Sequence, residues 1–162
     1  MKIRIRGLSP EPFRALLDAP RDRPPAPRAV WRTVNAMPGF PCRISLADAE
    51  PGETVLLTNY LHQPADTPFQ ASHAIYLRPG AARWDSLDEL PPVFLNRPTL
   101  ALRAFDRKGW LRGAVLTANT DLLDTARELL SEPKVAYLHA HYPALGCYAA
   151  WVGRADEDDQ AA

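Results

Sequence analysis

Few residues in this chain are equipped for chemistry: four histidines and two cysteines among 162 positions. Two of the histidines, in His139-Ala140-His141, stand two apart within a stretch rich in strand formers. Side chains alternate across a strand, so His139 and His141 share a face with their β-carbons ~7 Å apart, which lets both imidazoles reach one metal ion. Val135 and Tyr137 precede them at the same period and are expected on that face. A third ligand would come from His62, His73, Cys42, Cys147, Asp106 or Glu53, giving a zinc or iron centre with an open position. The competing reading is a pair of histidines hydrogen-bonded on a partly wet sheet face. No H-E-x-x-H or C-x-x-C motif is present to favour the metal.

The cysteines admit three readings. Cys42 precedes Arg43, and a neighbouring cation favours the reactive thiolate, so a thiol-dependent enzyme using Cys42 or Cys147 belongs to the same catalytic class as the metal reading. The two could instead form a reversible disulfide, or be small buried hydrophobes in a reducing compartment. A different constellation is polar: Arg43 and Arg103 as donors to a small polar or anionic ligand, with His62 and Asp106 as partners, in a pocket on one sheet face. His62 also opens a long polar loop, Leu61 to Ser72, of the kind that carries ligands on a rigid sheet. A protein-interaction module is the third class. Neither a G-x-S-x-G elbow nor a phosphate-binding glycine loop occurs, which disfavours serine hydrolysis and nucleotide binding by the usual routes.

Charge narrows the partners further. The 19 basic and 19 acidic groups cancel, which argues against a protein that works by neutralising phosphates, so no nucleic acid is expected. The balance is uneven, however: residues 1–43 hold nine basic and three acidic groups, and the remainder ten and sixteen. No apolar run approaches the ~20 residues of a membrane span, and Lys2 to Arg6 alternates where a signal peptide would be continuously apolar. A cytoplasmic protein without membrane contact is the expectation.

The elements that must position these residues are punctuated by seventeen prolines. Strands are expected at Lys2 to Arg6, Val30 to Ala36, Glu53 to Tyr60, His73 to Arg78, Leu100 to Asp106, Trp110 to Ala118, Val135 to Tyr142 and Cys147 to Arg154. The fifth and sixth of these flank Arg107-Lys108-Gly109 as a hairpin. Ser9-Pro10 opens a short helix to about Asp18, and Thr120 is expected to cap a second over Asp121 to Leu130, where Leu122, Leu123, Ala126, Leu129 and Leu130 form one apolar stripe. The class is α+β: a single domain over residues 1–154 with a largely antiparallel sheet of about seven strands and two short helices. Residues 155–162 are acidic and are expected to be a disordered tail.

The run Pro38-Gly39-Phe40-Pro41-Cys42-Arg43-Ile44-Ser45-Leu46, with Ala49, Pro51-Gly52-Glu53 and Leu56-Leu57 after it, resembles the signature of a bacterial family known as domain of unknown function 1203. The likeness continues through Tyr60, His62, Pro68-Phe69 and Ala71-Ser72, resumes at Arg103-Ala104-Phe105-Asp106, and closes at Gly146-Cys147-Tyr148. It implies a small single-domain bacterial protein. It implies no reaction, and it leaves a shortlist of Cys42, Arg43, Glu53, His62, Arg103, Asp106 and Cys147.

Overall fold

The computed structural model describes residues 1–156. It holds nine strands in two sheets, where one sheet of about seven was expected. The larger sheet uses β1 (Ile3–Arg6), β5 (Asp85–Leu87), β6 (Thr99–Phe105), β7 (Leu111–Ala118), β8 (Tyr137–His141) and β9 (Tyr148–Arg154) in the order β5-β1-β9-β8-β6-β7. The smaller uses β2 (Ala29–Thr33), β3 (Thr54–Gln63) and β4 (Ala71–Leu77) in chain order. Every ladder between these strands is antiparallel. The α+β class and its antiparallel character are therefore as expected.

One face of the large sheet makes the principal core. Ile3, Ile5, Leu100, Leu102, Leu138, Ala140, Ala150 and Val152 project from it against Leu122, Ala126 and Leu130 of the helix α3 (Leu122–Ser131). The apolar stripe read for that helix is the one it buries. Its start differs: Thr120 lies in a 3-10 turn, Asn119–Asp121, and its hydroxyl bonds Asp121 Oδ1 instead of capping. The first helix is a 3-10 turn, Glu11–Phe13, running into α1 (Arg14–Leu17), with the Ser9 hydroxyl accepting the Glu11 N–H at 3.3 Å.

The opposite face of the large sheet meets the small one. Tyr148 of β9 packs with Leu56, Ile75 and Leu77 of β3 and β4, and with Cys42, Ile44, Leu8 and Phe13, in a second cluster. The stretch around residues 42–44 ties the sheets together, since Arg43 N–H bonds the Tyr76 carbonyl, Leu8 N–H bonds Arg43 and Trp84 N–H bonds Ile44.

Two elements were unexpected. β5 has only three residues, too few to show a period. A helical turn, α2 (Pro92–Leu95), occupies the Pro91-Pro92 break, because proline at the first helical position sacrifices no hydrogen bond. The uneven charge is partly matched within the fold, with Arg4 and Arg6 of β1 at 3.1 and 3.2 Å from Asp85. Ala155, assigned above to the tail, bonds Lys2 and Arg4 through its backbone. Asp156 is exposed in a turn, and the remainder of the expected acidic tail, 157–162, lies outside the described residues.

The tips of two hairpins lock together beside the inter-sheet space. Gly109 has φ +78°, and a β-carbon there would come within 2.3 Å of the Ala65 β-carbon. Thr67 donates to the Gly109 carbonyl, and the Phe69 and Trp110 rings meet at 5.9 Å. Gly109→Ala combines backbone strain with a collision, and a loss of about 1–3 kcal/mol is expected in urea denaturation. An unchanged midpoint would mean that the tips separate without cost.

Candidate metal centre

All four histidines converge between the sheets. On the large sheet, Arg103 of β6 stands directly opposite His139 of β8, and Ala101 opposite His141. These positions alternate with Leu102, Leu138 and Ala140, which fill the principal core, so His139, His141 and Arg103 face the other way, toward the small sheet. On that sheet, Tyr60 pairs with His73, and a register shift between Leu61 and Gln63 falls at His62. Leu56, Thr58, Tyr60 and His62 alternate onto the inward face.

One ring nitrogen from each of His62, His139 and His141 lies within 4.8 Å of the other two. These side chains are almost wholly buried, at 2%, 1% and 0% exposure. Ligands ~2.0–2.1 Å from a tetrahedral zinc lie roughly 3.3–3.4 Å apart, so a contraction of about 1.5 Å at most would close the set around an ion. His62 is held between aromatic neighbours, its ring within 14° of parallel to His73 and within 15° of Tyr148. His139 meets Phe105, Tyr137 and Tyr148 at 5.0–5.3 Å between centroids.

Each of the three rings carries one buried nitrogen with no hydrogen-bond partner among the described residues: Nδ1 of His62, Nδ1 of His139 and Nε2 of His141. Buried polar atoms are ordinarily paired, and leaving one unpaired costs ~1–3 kcal/mol. Two of the rings are oriented from behind. His141 Nδ1 lies 2.9 Å from the Gly146 carbonyl, which can only accept, so the proton sits on Nδ1 and the Nε2 lone pair is free. His62 Nε2 lies 2.7 Å from His73 Nδ1, and a proton on His62 Nε2 satisfies that bond while freeing the Nδ1 lone pair. A partner on the second ring nitrogen that fixes the tautomer is characteristic of metal-ligating histidines.

The electrostatics keep these rings neutral. Burial, aided by His141, His73 and Arg103, pushes His62 down to about 3. Burial likewise takes His141 to about 4, against an opposing contribution from the Gly146 carbonyl and with Arg103, His73 and Arg43 acting downward. His139 lies well below the ordinary value, chiefly through burial. Neutral imidazole is the form that binds metal.

Other residues read from the sequence have different work. Arg43 is buried; its Nε donates to the Tyr148 carbonyl at 2.7 Å, its Nη1 to Pro41, and its guanidinium stacks over Tyr142 at 5.0 Å. It is a strut under the site, although it lies close enough to depress His73 and His141. Asp106 does not join the cluster. Its carboxylate accepts from the Lys108 and Trp110 N–H groups and from Arg112, and these bonds outweigh burial to hold its pKa low, so it organises the β6–β7 turn. Glu53 is engaged at a turn with the Glu50 N–H and Arg78. Val135 belongs to the principal core instead of the histidine face, whereas Tyr137 stays beside His139 and accepts a bond from Gln63. Cys42 is fully buried, its sulfur accepting the Arg78 N–H at 3.3 Å; Cys147 is part-exposed, and both thiols are free.

His62, read as a loop residue, is thus the third member of the cluster and lies near the end of a ten-residue strand. The available signal was the Thr58-Tyr60-His62 alternation continuing past Tyr60. The Gly146 carbonyl and the Tyr148 ring complete the surroundings of the cluster, and a backbone carbonyl leaves no trace in residue type.

Fold and site define an α+β protein whose two antiparallel sheets enclose a cluster of buried histidines with ring nitrogens close to one another. The chain belongs to the DUF1203 family, described as Protein of unknown function (DUF1203), whose model matches residues 39–154. No curated protein and no solved structure matches the chain. No described helix is long and apolar enough to cross a membrane.

Proposed function

We propose that this protein binds one transition-metal ion of the zinc class through His62, His139 and His141, leaving a coordination position open for a small ligand. The observation that carries the reading is the three unpartnered, buried ring nitrogens on mutually adjacent histidines. A packing role leaves buried ring nitrogens costly and unexplained, whereas a metal ion within the cluster gives the three rings a common partner. Imidazole donors without a carboxylate suit zinc, copper, nickel or iron better than magnesium or calcium. Zinc held by three histidines lowers the pKa of a bound water to about 7 and polarises substrate oxygens, so metal-assisted hydrolysis or hydration is the reaction class supported. The buried Cys42 gives the thiol-dependent alternative less support than the histidines give this one.

The test is metal uptake by tag-free protein stripped with a chelator. One zinc or cobalt per chain is expected, together with a higher melting temperature; at a hundredfold excess over Kd, the stabilisation is about 2.7 kcal/mol. Absence of uptake and of any melting shift with zinc, cobalt, copper, nickel, iron and manganese would overturn the proposal.

A further inference from the structure

We infer that the open position of this centre receives a small oxyanion, one oxygen of which ligates the metal while another accepts from the Arg103 guanidinium. The inference rests on the metal reading above and adds the class of ligand.

Arg103 faces the cluster from directly across the β6–β8 ladder, opposite His139. It is part-exposed, while the three ligand candidates behind it are buried. It has no hydrogen bond or ion pair with any described residue, in contrast to Arg97, which grips Asp48 at 2.8 and 2.9 Å, and Arg127, which grips Asp88 at 2.8 Å. An arginine fork is suited to two oxygens of one carboxylate or phosphoryl group.

Charge favours the same ligand class. A divalent ion on three neutral imidazoles keeps its full charge, and Arg103 adds another beside it. The carboxylates of Asp106 and Asp48 are already engaged by Arg112 and Arg97. Among the described residues no carboxylate belongs to the histidine group. Concentrated positive charge in a partly desolvated space is unfavourable unless an anion compensates it. Beyond Arg103, the same face of the edge strand β7 is exposed at Ala114 and Leu116, so the ligand has a side from which to approach.

The experiment uses cobalt-loaded and zinc-loaded protein titrated with inorganic phosphate and, separately, with acetate, which distinguishes a phosphoryl ligand from a carboxylate. One anion per metal is expected, with a change in the cobalt visible spectrum. Arg103→Gln should weaken the preferred anion about ten- to a hundredfold. The same variant should bind zinc as tightly as the parent or more tightly in the absence of anion, because a cation near the metal has been removed. Arg103→Lys, which keeps the charge and loses the fork, should fall between the two. A merely structural Arg103 would weaken metal and anion binding together. Failure of either anion to perturb cobalt at millimolar concentration would overturn the inference, as would parental anion affinity in both variants. Failure of the metal reading is distinct, since it appears as no metal uptake before any anion is added, and it removes this inference as well.

Discussion

His139→Leu is expected to lower zinc affinity at least about a hundredfold while leaving the metal-free protein as stable as the parent or more so. Loss of a partner behind a ligand typically costs ten- to a hundredfold in metal affinity, and loss of the ligand itself should cost no less. The sign of the stability change is the stronger discriminator. His139 is buried with an unpartnered Nδ1, so the metal-free fold carries an unsatisfied polar group worth ~1–3 kcal/mol. Leucine has a similar volume and removes that penalty. His141→Leu should give the same loss of zinc but a less favourable metal-free stability, because it also strips the Gly146 carbonyl of its donor. Thermal melts with and without zinc, together with zinc competition against a chelator, provide both readings. Marked destabilisation with unchanged zinc affinity would make His139 a packing residue.

The metal-free protein should lose stability steeply as pH falls from about 6.5 toward 4. Histidines in the unfolded chain protonate near 6.5, whereas in the fold burial and neighbouring cations hold His62 at about 3, His141 at about 4 and His139 well below its ordinary value. Below pH 6.5 the unfolded state therefore binds more protons, and stability declines with falling pH by up to ~1.4 kcal/mol per pH unit for each histidine. The three histidines act in the same direction over this window, so the metal-free protein is expected to be markedly less stable at pH 4.5 than at pH 7. Asp48 acts in the same sense lower down. Burial alone would raise its carboxyl, but Arg97 and the Gly39 N–H outweigh that effect, so its contribution disappears only below the ordinary carboxylate range. Urea midpoints at pH 8, 6.5, 5.5 and 4.5 measure the slope, and His139→Leu should reduce it by one histidine's share. A flat profile between pH 7 and 5 would contradict the assignment of neutral, buried rings.

Much of the scaffold was legible from local pattern. The β6–β7 hairpin announced itself through Arg107-Lys108-Gly109, and α3 through its leucine stripe, because turn chemistry and amphipathic period are properties of neighbouring residues. The shared face of His139 and His141 was legible for the same reason. Local pattern misjudged β3, where the exposed Leu61 obscured an alternation that carries His62 inward. It also could not separate Arg103 from Arg43 and Asp106, since residue type alone does not say which charges are already engaged.

The sequence by itself determined an α+β chain with two histidines on one strand face, because strand geometry is a two-residue period that needs no partner. Only the tertiary structure decided that His62 and His73, on a different sheet, meet that pair. It likewise decided that Asp106 is committed to a turn while Arg103 has no carboxylate partner among the described residues. Those outcomes depend on how two sheets stack and on which hydrogen bonds long-range packing completes, and neither is encoded in the spacing of residues along the chain.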